Sequence, residues 1–320
     1  MNHLRHVLAA TLEDIFQQYK GVVVSCSGGA DSIGLLHLIC QSIPSEKLSQ
    51  IQVLHINYGL RPKENVEEEI FLSKLCQSLG VYLTIKNCNQ LERPQIGVQQ
   101  WARQIRRQAW QKYLDQGIVV AVAHHMDDFA ENLILRMSRG TSPAGWCGLN
   151  VWDALIWRPL LGVRKDDLVN WLEEERLSFC FDSSNAQDKY ARNQIRNHVL
   201  PVLERIYPGA VERICRLGED VRERERYFKR AQESMLHRMM GAGLLLKDLC
   251  ELPQWQIFNL LTEAFYAKGG RGQALSRAFL VQAEGCLQMY FNSGSGESKF
   301  MDFPQRVGKI CLSKEIIRIV

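Results

Sequence analysis

The chain has 320 residues, of which 46% are hydrophobic and 23% charged, with a formal net charge of +4. That length supports two domains with real cores, and the composition is ordinary for a soluble globular protein. No uncharged apolar run approaches the roughly 18 residues of a membrane span, which excludes such a segment, and the mild basicity permits a polyanionic partner without demanding one.

In chain order, Leu4, Val7, Leu8, Leu12, Ile15 and Phe16 recur at helical spacing. They predict an amphipathic helix docked on the body rather than a signal-type apolar core. Strand-like runs follow at 21–26, 51–57, 82–86 and 118–123, with helical patterns between them at 31–40, 66–79 and 98–114. This alternation predicts an α/β fold, a parallel doubly wound sheet whose ligands bind beyond the carboxyl ends of the strands. Two further helices are expected at 127–139 and 164–176. From 211 to 240 the pattern is one long charged helix, and its run Arg222-Glu223-Arg224-Glu225-Arg226 reads as a solvated face. A helix at 255–266, turns at 269–272 and 293–296, and short strand-like runs to 320 complete a smaller, mainly helical or α+β domain. The expected division is therefore 1–208 and 209–320. The ten cysteines are scattered singly, without Cys-x-x-Cys or zinc spacing, and read as reduced thiols of a cytoplasmic protein.

Two segments carry chemistry. Ser27-Gly28-Gly29-Ala30-Asp31-Ser32 lies between a buried strand and a helix. Free backbone N–H groups, the positive helix end and two hydroxyls there favour an anion, and the glycines let it come close. Asp31 is the odd member, because a carboxylate beside a phosphate is repulsive unless a cation lies between them. A glycine turn capped by Asp31 or Ser32 is the plain alternative. The stretch is neither a Walker A motif nor Gly-x-Gly-x-x-Gly. It resembles the pyrophosphate loop of the ATP pyrophosphatases, which cleave ATP to AMP and pyrophosphate while adenylating a carbonyl oxygen. The second segment, His124-His125-Met126-Asp127-Asp128-Phe129-Ala130-Glu131-Asn132, also opens a helix. Asp127 and Asp128 are placed to cap it, and Asp128 and Glu131 share a face at i, i+3. A cap, a metal site and a pocket for a cationic substrate are all open; paired carboxylates beside a phosphate site favour the last.

As an ensemble, residues 20–205 resemble the tRNA(Ile)-lysidine synthetases. The matching pieces are 27–32, His55-x-Asn57-x-Gly59-Leu60-Arg61, Ala102-Arg103-x-x-Arg106, His124 to Glu131, Arg139-Gly140 and Arg158-Pro159-Leu160-Leu161. The last piece runs Asp182-x-Ser184-Asn185-x-x-Asp188-x-Tyr190-x-Arg192-Asn193-x-x-Arg196. Tyr58, Gln99, Arg107 and Asn132 depart from the family pattern, which usually has His, Glu, Tyr and Thr there.

The resemblance implies a ligase that joins free L-lysine to C2 of the wobble cytidine of tRNA(Ile) with a CAU anticodon. An adenylated cytidine is the intermediate, and codon reading changes from AUG to AUA. It implies ATP on Ser27, Gly28, Gly29, Ala30, Asp31, Ser32, His55 and Asn57, with Mg²⁺ at Asp31. Lysine falls to Asp128 and Glu131, its carboxylate to Arg103 and Arg107, and tRNA to Arg106 and Arg196. Asp31, His124, Asp128 and Arg192 form the catalytic set, and Arg192 and Arg196 face phosphate or the adenylate. The 209–320 domain would contact the tRNA body, and the long helix invites a homodimer. A tRNA thiolase, an amidating synthetase and a non-enzymatic nucleotide sensor remain the alternatives.

Overall fold

The computed structural model describes the whole chain except residues 61, 89–96, 142, 181–190, 271–274, 295–296 and 314, and the side chains of 62, 63, 99, 143, 144, 229 and 231. It contains two compact units, Met1–Arg222 and Glu223–Val320. Their division lies inside the long charged helix, whereas the sequence suggests 208/209.

The first unit opens with α1 (Asn2–Gln18), β1 (Val22–Ser25), α2 (Ala30–Gln41), β2 (Ile51–Asn57), α3 (Pro62–Leu79) and β3 (Tyr82–Asn87). It continues with α4 (Val98–Leu114), β4 (Val119–Val122), α5 (Met126–Ser138), β5 (Trp152–Asp153), β6 (Ile156–Trp157) and α6 (Lys165–Glu174). The sheet order is β3-β2-β1-β4-β6-β5. All neighbours are parallel except the β5–β6 hairpin at one edge, two strands too short to announce themselves in the sequence.

β1 is central because its valines serve both faces. Val22 and Val24 pack with Leu8, Leu12, Ile33 and Leu168 on one side, and Val23 joins Leu54, Ile105 and Val120 on the other. Each such burial stabilises by about 1.5–3 kcal/mol relative to an exposed side chain. α2 lies against α6 so closely that a Cβ on Gly34 would sit 2.8 Å from Leu168 Cδ1. Connections leave β1 and β4 in opposite directions, so the topological switch point falls between them and opens a crevice at their carboxyl ends.

A short helix α7 (Ala191–Gln194) runs through a π-turn (Ile195–Val199) into α8 (Leu200–Ile206), and α9 spans Ala210–Met240. The second unit adds β7 (Leu244–Leu245), α10 (Leu246–Cys250), α11 (Gln254–Ala267), α12 (Arg277–Ser293), β8 (Lys299–Asp302), β9 (Lys309–Ser313) and β10 (Ile316–Ile319). Its antiparallel sheet, ordered β7-β10-β9-β8, has its own core built on Leu260, Leu261, Phe265, Leu287 and Ile317. The unit is thus α+β. The sequence reading misses α12, whose buried stripe Leu280, Ala283, Leu287, Tyr290 is blurred by exposed Val281, Met289 and Phe291. Among the described residues, no helix is long and apolar enough to cross a membrane.

Candidate active site

The crevice holds a cleft of about 250 Å³. From the β1 side it is lined by Ser27, Asp31 and Ser32, from the β4 side by His124 and Asp128, and from α4 by Arg106.

The β1 turn is held by its own hydroxyls. Ser32 Oγ accepts from Ser27 N at 3.1 Å and donates to the Gly29 carbonyl at 3.0 Å. Gly28 takes φ +92°, a left-handed conformation costly for a residue with a Cβ. Its carbonyl accepts from Cys180 N at 2.9 Å. Gly29 is the N-cap of α2 and offers no capping side chain, so neither Asp31 nor Ser32 caps the helix. Ser32 N and Ile33 N donate to the Gly29 carbonyl at 3.1 and 3.0 Å, so the N–H groups that α2 can offer an anion are those of Ala30 and Asp31. His55, 2% exposed, lies beneath this turn and donates through Nδ1 to the Cys26 carbonyl at 3.0 Å; burial lowers its pKa, so it is neutral. Asn57 is occupied too: its Oδ1 accepts from Gly59 N at 2.8 Å and Asn65 Nδ2 at 2.7 Å, and its Nδ2 donates to Glu69 at 2.6 Å. Both side chains shape the floor around the turn.

The β4 turn is built from charge. The N-cap of α5 is His125, not Asp127 or Asp128: its Nδ1 accepts from Asp128 N at 3.3 Å, while Asp128 Oδ2 accepts from His125 N at 3.1 Å. This fully buried ring also faces Asp31 Oδ2 at 3.7 Å, Asp127 Oδ2 at 3.6 Å and Asp128 Oδ2 at 3.5 Å. Burial opposes its protonation, but Asp127, Asp31 and Asp128 outweigh it and lift the pKa to about 9. The imidazolium then gives its Nδ1–H to Asp127 and relinquishes the bond from Asp128 N; three carboxylates around a buried ring favour that form. Asp127 is held by Arg164 at 3.2 Å and Lys165 N at 2.8 Å, far from a ligand-facing role. Although burial disfavours its charge, His125, Lys165 N and Arg164 hold its carboxyl well below the usual range.

Glu131 is fully buried and bound by both arginines of the π-turn region. Arg192 Nε donates to its Oε2 at 2.7 Å, and Arg196 Nε to its Oε1 at 2.5 Å. The same two guanidinium groups reach Asp128 Oδ1 at 2.9 and 3.1 Å. Asp128 and Glu131 are therefore brought together, as the sequence suggests, but each is already neutralised. Arg103 stands on α4, where burial and the charges of Arg107, Arg106, Arg192 and Arg136 depress its pKa, marking a strongly positive wall. Arg106 lies 6.0 Å over the Trp110 ring, and Arg107 is exposed on the same helix. Asp182, Ser184, Asn185, Asp188, Tyr190, Arg61 and the side chain of Gln99 lie outside the described residues.

Sequence reasoning misses His125, Arg158, Arg164 and Lys165 as parts of the site. Lys165, at the start of α6, points its Nζ to within 4.0 Å of Asp31 Oδ2. His125 and Arg158 stand inside pieces that match the family pattern, 124–131 and 158–161, which could have flagged them; no such signal marks Arg164 or Lys165. Asp31 Oδ1 is buried and, among the described residues, has no hydrogen-bond partner. Among the described residues no three His, Cys, Asp or Glu side chains converge on a metal. One carboxylate with an open oxygen suits Mg²⁺ that brings its other ligands as phosphate oxygens and water.

A profile of the PP-loop domain family matches residues 2–203. The tRNA(Ile)-lysidine synthase of Bacteroides thetaiotaomicron is 29% identical over 252 residues, covering 77% of this chain and 58% of that protein. That of Rhodopirellula baltica is 34% identical over 238 residues, covering 67% and 60%. The chain thus spans about three fifths of the length of these curated relatives. Among solved structures, the U34-tRNA thiolase NcsA from Methanococcus maripaludis, with its 4Fe-4S cluster, matches with a TM-score of 0.56 at 18% identity. That match covers 69% of this chain and 79% of the thiolase, and is a likeness of fold.

Proposed function

The chain belongs to the PP-loop domain family, which implies ATP use, and on that premise we propose that it is a tRNA(Ile)-lysidine-forming ligase. It joins free L-lysine to C2 of the wobble cytidine in a CAU anticodon, giving lysidine, AMP and pyrophosphate. In the first step cytidine O2 bonds to the α-phosphorus, and the bond to pyrophosphate breaks with its electron pair on the leaving group. In the second, the lysine amine bonds to C2, and the C2–O2 bond breaks with its pair on AMP; the amine's proton passes to solvent.

Ser27, Gly28, Gly29, Ala30 and Ser32 cradle the phosphates with backbone and hydroxyl donors, the Ser32 hydroxyl turning from the Gly29 carbonyl to do so. Asp31 would hold Mg²⁺, which would supply charge neutralisation on the phosphates. Two like charges about 4 Å apart near a surface repel by about 4 kcal/mol, so a single cation at similar range cancels the penalty. Lys165 and the His125 imidazolium stand at that range from Asp31. His55 and Asn57 act on ATP by fixing the turn and the end of β2.

The lysine ammonium belongs with Asp128 and Glu131, and its entry requires an arginine to leave. Arg192 is the one able to swing, since its side chain is 37% exposed against 23% for Arg196. Once released, Arg192 is free to hold the adenylate phosphate while lysine takes its place. Arg103 and Arg107 meet the lysine carboxylate, and Arg106 and Arg196 the RNA backbone. The wobble base must leave its stack to reach the cleft.

The observation that carries this reading is that a single cleft is lined by both Asp31 and Ser32 of one turn and His124 and Asp128 of the other. Cys26 also lines it, but burial raises its thiol pKa, which leaves it unsuited to carry sulfur as a thiolase would require. Incubation with labelled lysine, ATP and CAU-anticodon tRNA tests the proposal: label enters that tRNA alone. ATP cleavage with ammonia and no RNA would instead indicate an amidating synthetase.

A further inference from the structure

We propose that Arg158 fixes His124 as a neutral Nε2–H donor, so that His124 steadies charge on the reacting phosphate and is not the base for lysine. The inference deepens the lysidine-forming reading and rests on it for the identity of the reacting groups.

The pairing of β6 with β4, Trp157 beside Ala121, carries the next residue, Arg158, alongside the end of β4 where His124 stands. Arg158 is 7% exposed. Its Nε donates to His124 Nδ1 at 3.2 Å and its Nη1 to the Asn150 carbonyl at 2.9 Å, while Nη2 lies 3.7 Å from Asp153. A guanidinium has donors only, so Nδ1 must present its lone pair, and the one ring proton is on Nε2. His124 itself lines the cleft beside Asp31, Ser32 and Asp128.

The surroundings keep the ring neutral. Burial is the largest cause, Asp128 on its own helix opposes it, and Arg158 after β6, Arg192 on α7 and Arg106 on α4 add to it; the pKa falls to about 4. Accepting a proton at Nδ1 would require breaking the bond from Arg158, and Nε2 already carries one. What remains is donation from Nε2 towards an oxygen that gains charge, the role of an oxyanion-hole group.

Two measurements test this. In ¹⁵N-histidine NMR of the intact protein, the His124 signals, assigned by their loss in His124→Gln, show the Nε2–H tautomer from pH 5.5 to 8. Arg158→Met mixes the two tautomers. A wild-type ring that carries Nδ1–H, or that protonates near pH 6.5, overturns the proposal. This readout needs no turnover, so its failure is distinct from failure of lysine ligation. In the lysine-incorporation assay, His124→Ala loses about 10²–10³-fold in kcat. His124→Gln, which keeps an N–H donor but cannot act as a base, recovers to within about tenfold of wild type on that scale. A glutamine variant as inactive as the alanine variant would assign His124 to proton transfer and end the proposal.

Discussion

The turns after β1 and β4 stand side by side at the switch point, yet they are built on opposite plans. The β1 turn uses glycines and serines, satisfies its loop with hydroxyls, and leaves the first N–H groups of α2 without a side-chain cap. The β4 turn uses a buried histidine that caps α5 reciprocally with Asp128, and two carboxylates, Asp128 and Glu131, that are saturated by arginines. A site for a highly charged, mobile anion works best as a preformed neutral cradle. A site for a cation of similar size to its own arginines works by exchange, because empty buried carboxylates would be too costly to hold. The two turns meet at Asp31, which belongs to the first in sequence and to the second in its contacts.

The largest effect should come from breaking that junction. Asp31→Ala is expected to lower kcat by about 10³-fold or more while tRNA affinity, read by filter binding, stays within about twofold. Loss of tRNA affinity as the main defect would remove Asp31 from the phosphate chemistry.

A pH series then separates the plans. His125 titrates near 6.5 when unfolded and near 9 when folded, so its contribution is full below pH 6.5 and is lost as pH rises through 9. Urea unfolding without Mg²⁺ should show the stability gap between wild type and His125→Gln shrinking by about 3 kcal/mol from pH 6 to 9.5. A constant gap would mean that the ring is neutral and serves only as a cap.

Glu131→Gln removes a fully buried partner of two arginines, and Asp128 compensates them only in part. The expected loss is about 3 kcal/mol in unfolding free energy. A change under about 0.5 kcal/mol, the range of ordinary surface substitutions, would show that the arginines are not committed to Glu131. Smallest is Gly28→Ala, which forces a Cβ into φ +92°. It should lose about 1–2 kcal/mol of stability and raise the KM for ATP, leaving the KM for lysine unchanged.

The β1 cradle was legible from sequence because everything that makes it lies within a few residues: a valine run, two glycines, two serines and the helix that follows. The sheet order around it also follows from alternation and right-handed crossovers. The charged turn was legible only in part. Asp128 and Glu131 share a face by spacing, but their partners Arg192 and Arg196 come from 61 to 68 residues away. His125 reads as a duplicate of His124 in sequence, yet both rings are buried and their neighbours send them to opposite charge states: Asp127, Asp31 and Asp128 around His125, and Arg158, Arg192 and Arg106 around His124. Lys165 reaches the site through the packing of α6, which no local pattern encodes, and Arg158, though it stands in a matching motif, meets His124 only through the pairing of β6 with β4. α12 escaped because its outer face is nearly as apolar as its inner one.

The central claim is that the β1 turn holds ATP so that the oxygen of the wobble base captures AMP. Transcribed CAU-anticodon tRNA carrying ¹⁸O at cytidine C2 tests this in one turnover. The account predicts that the AMP released on lysine ligation carries the heavy oxygen from the base. Unlabelled AMP, with the isotope left in the tRNA or lost to water, would contradict it.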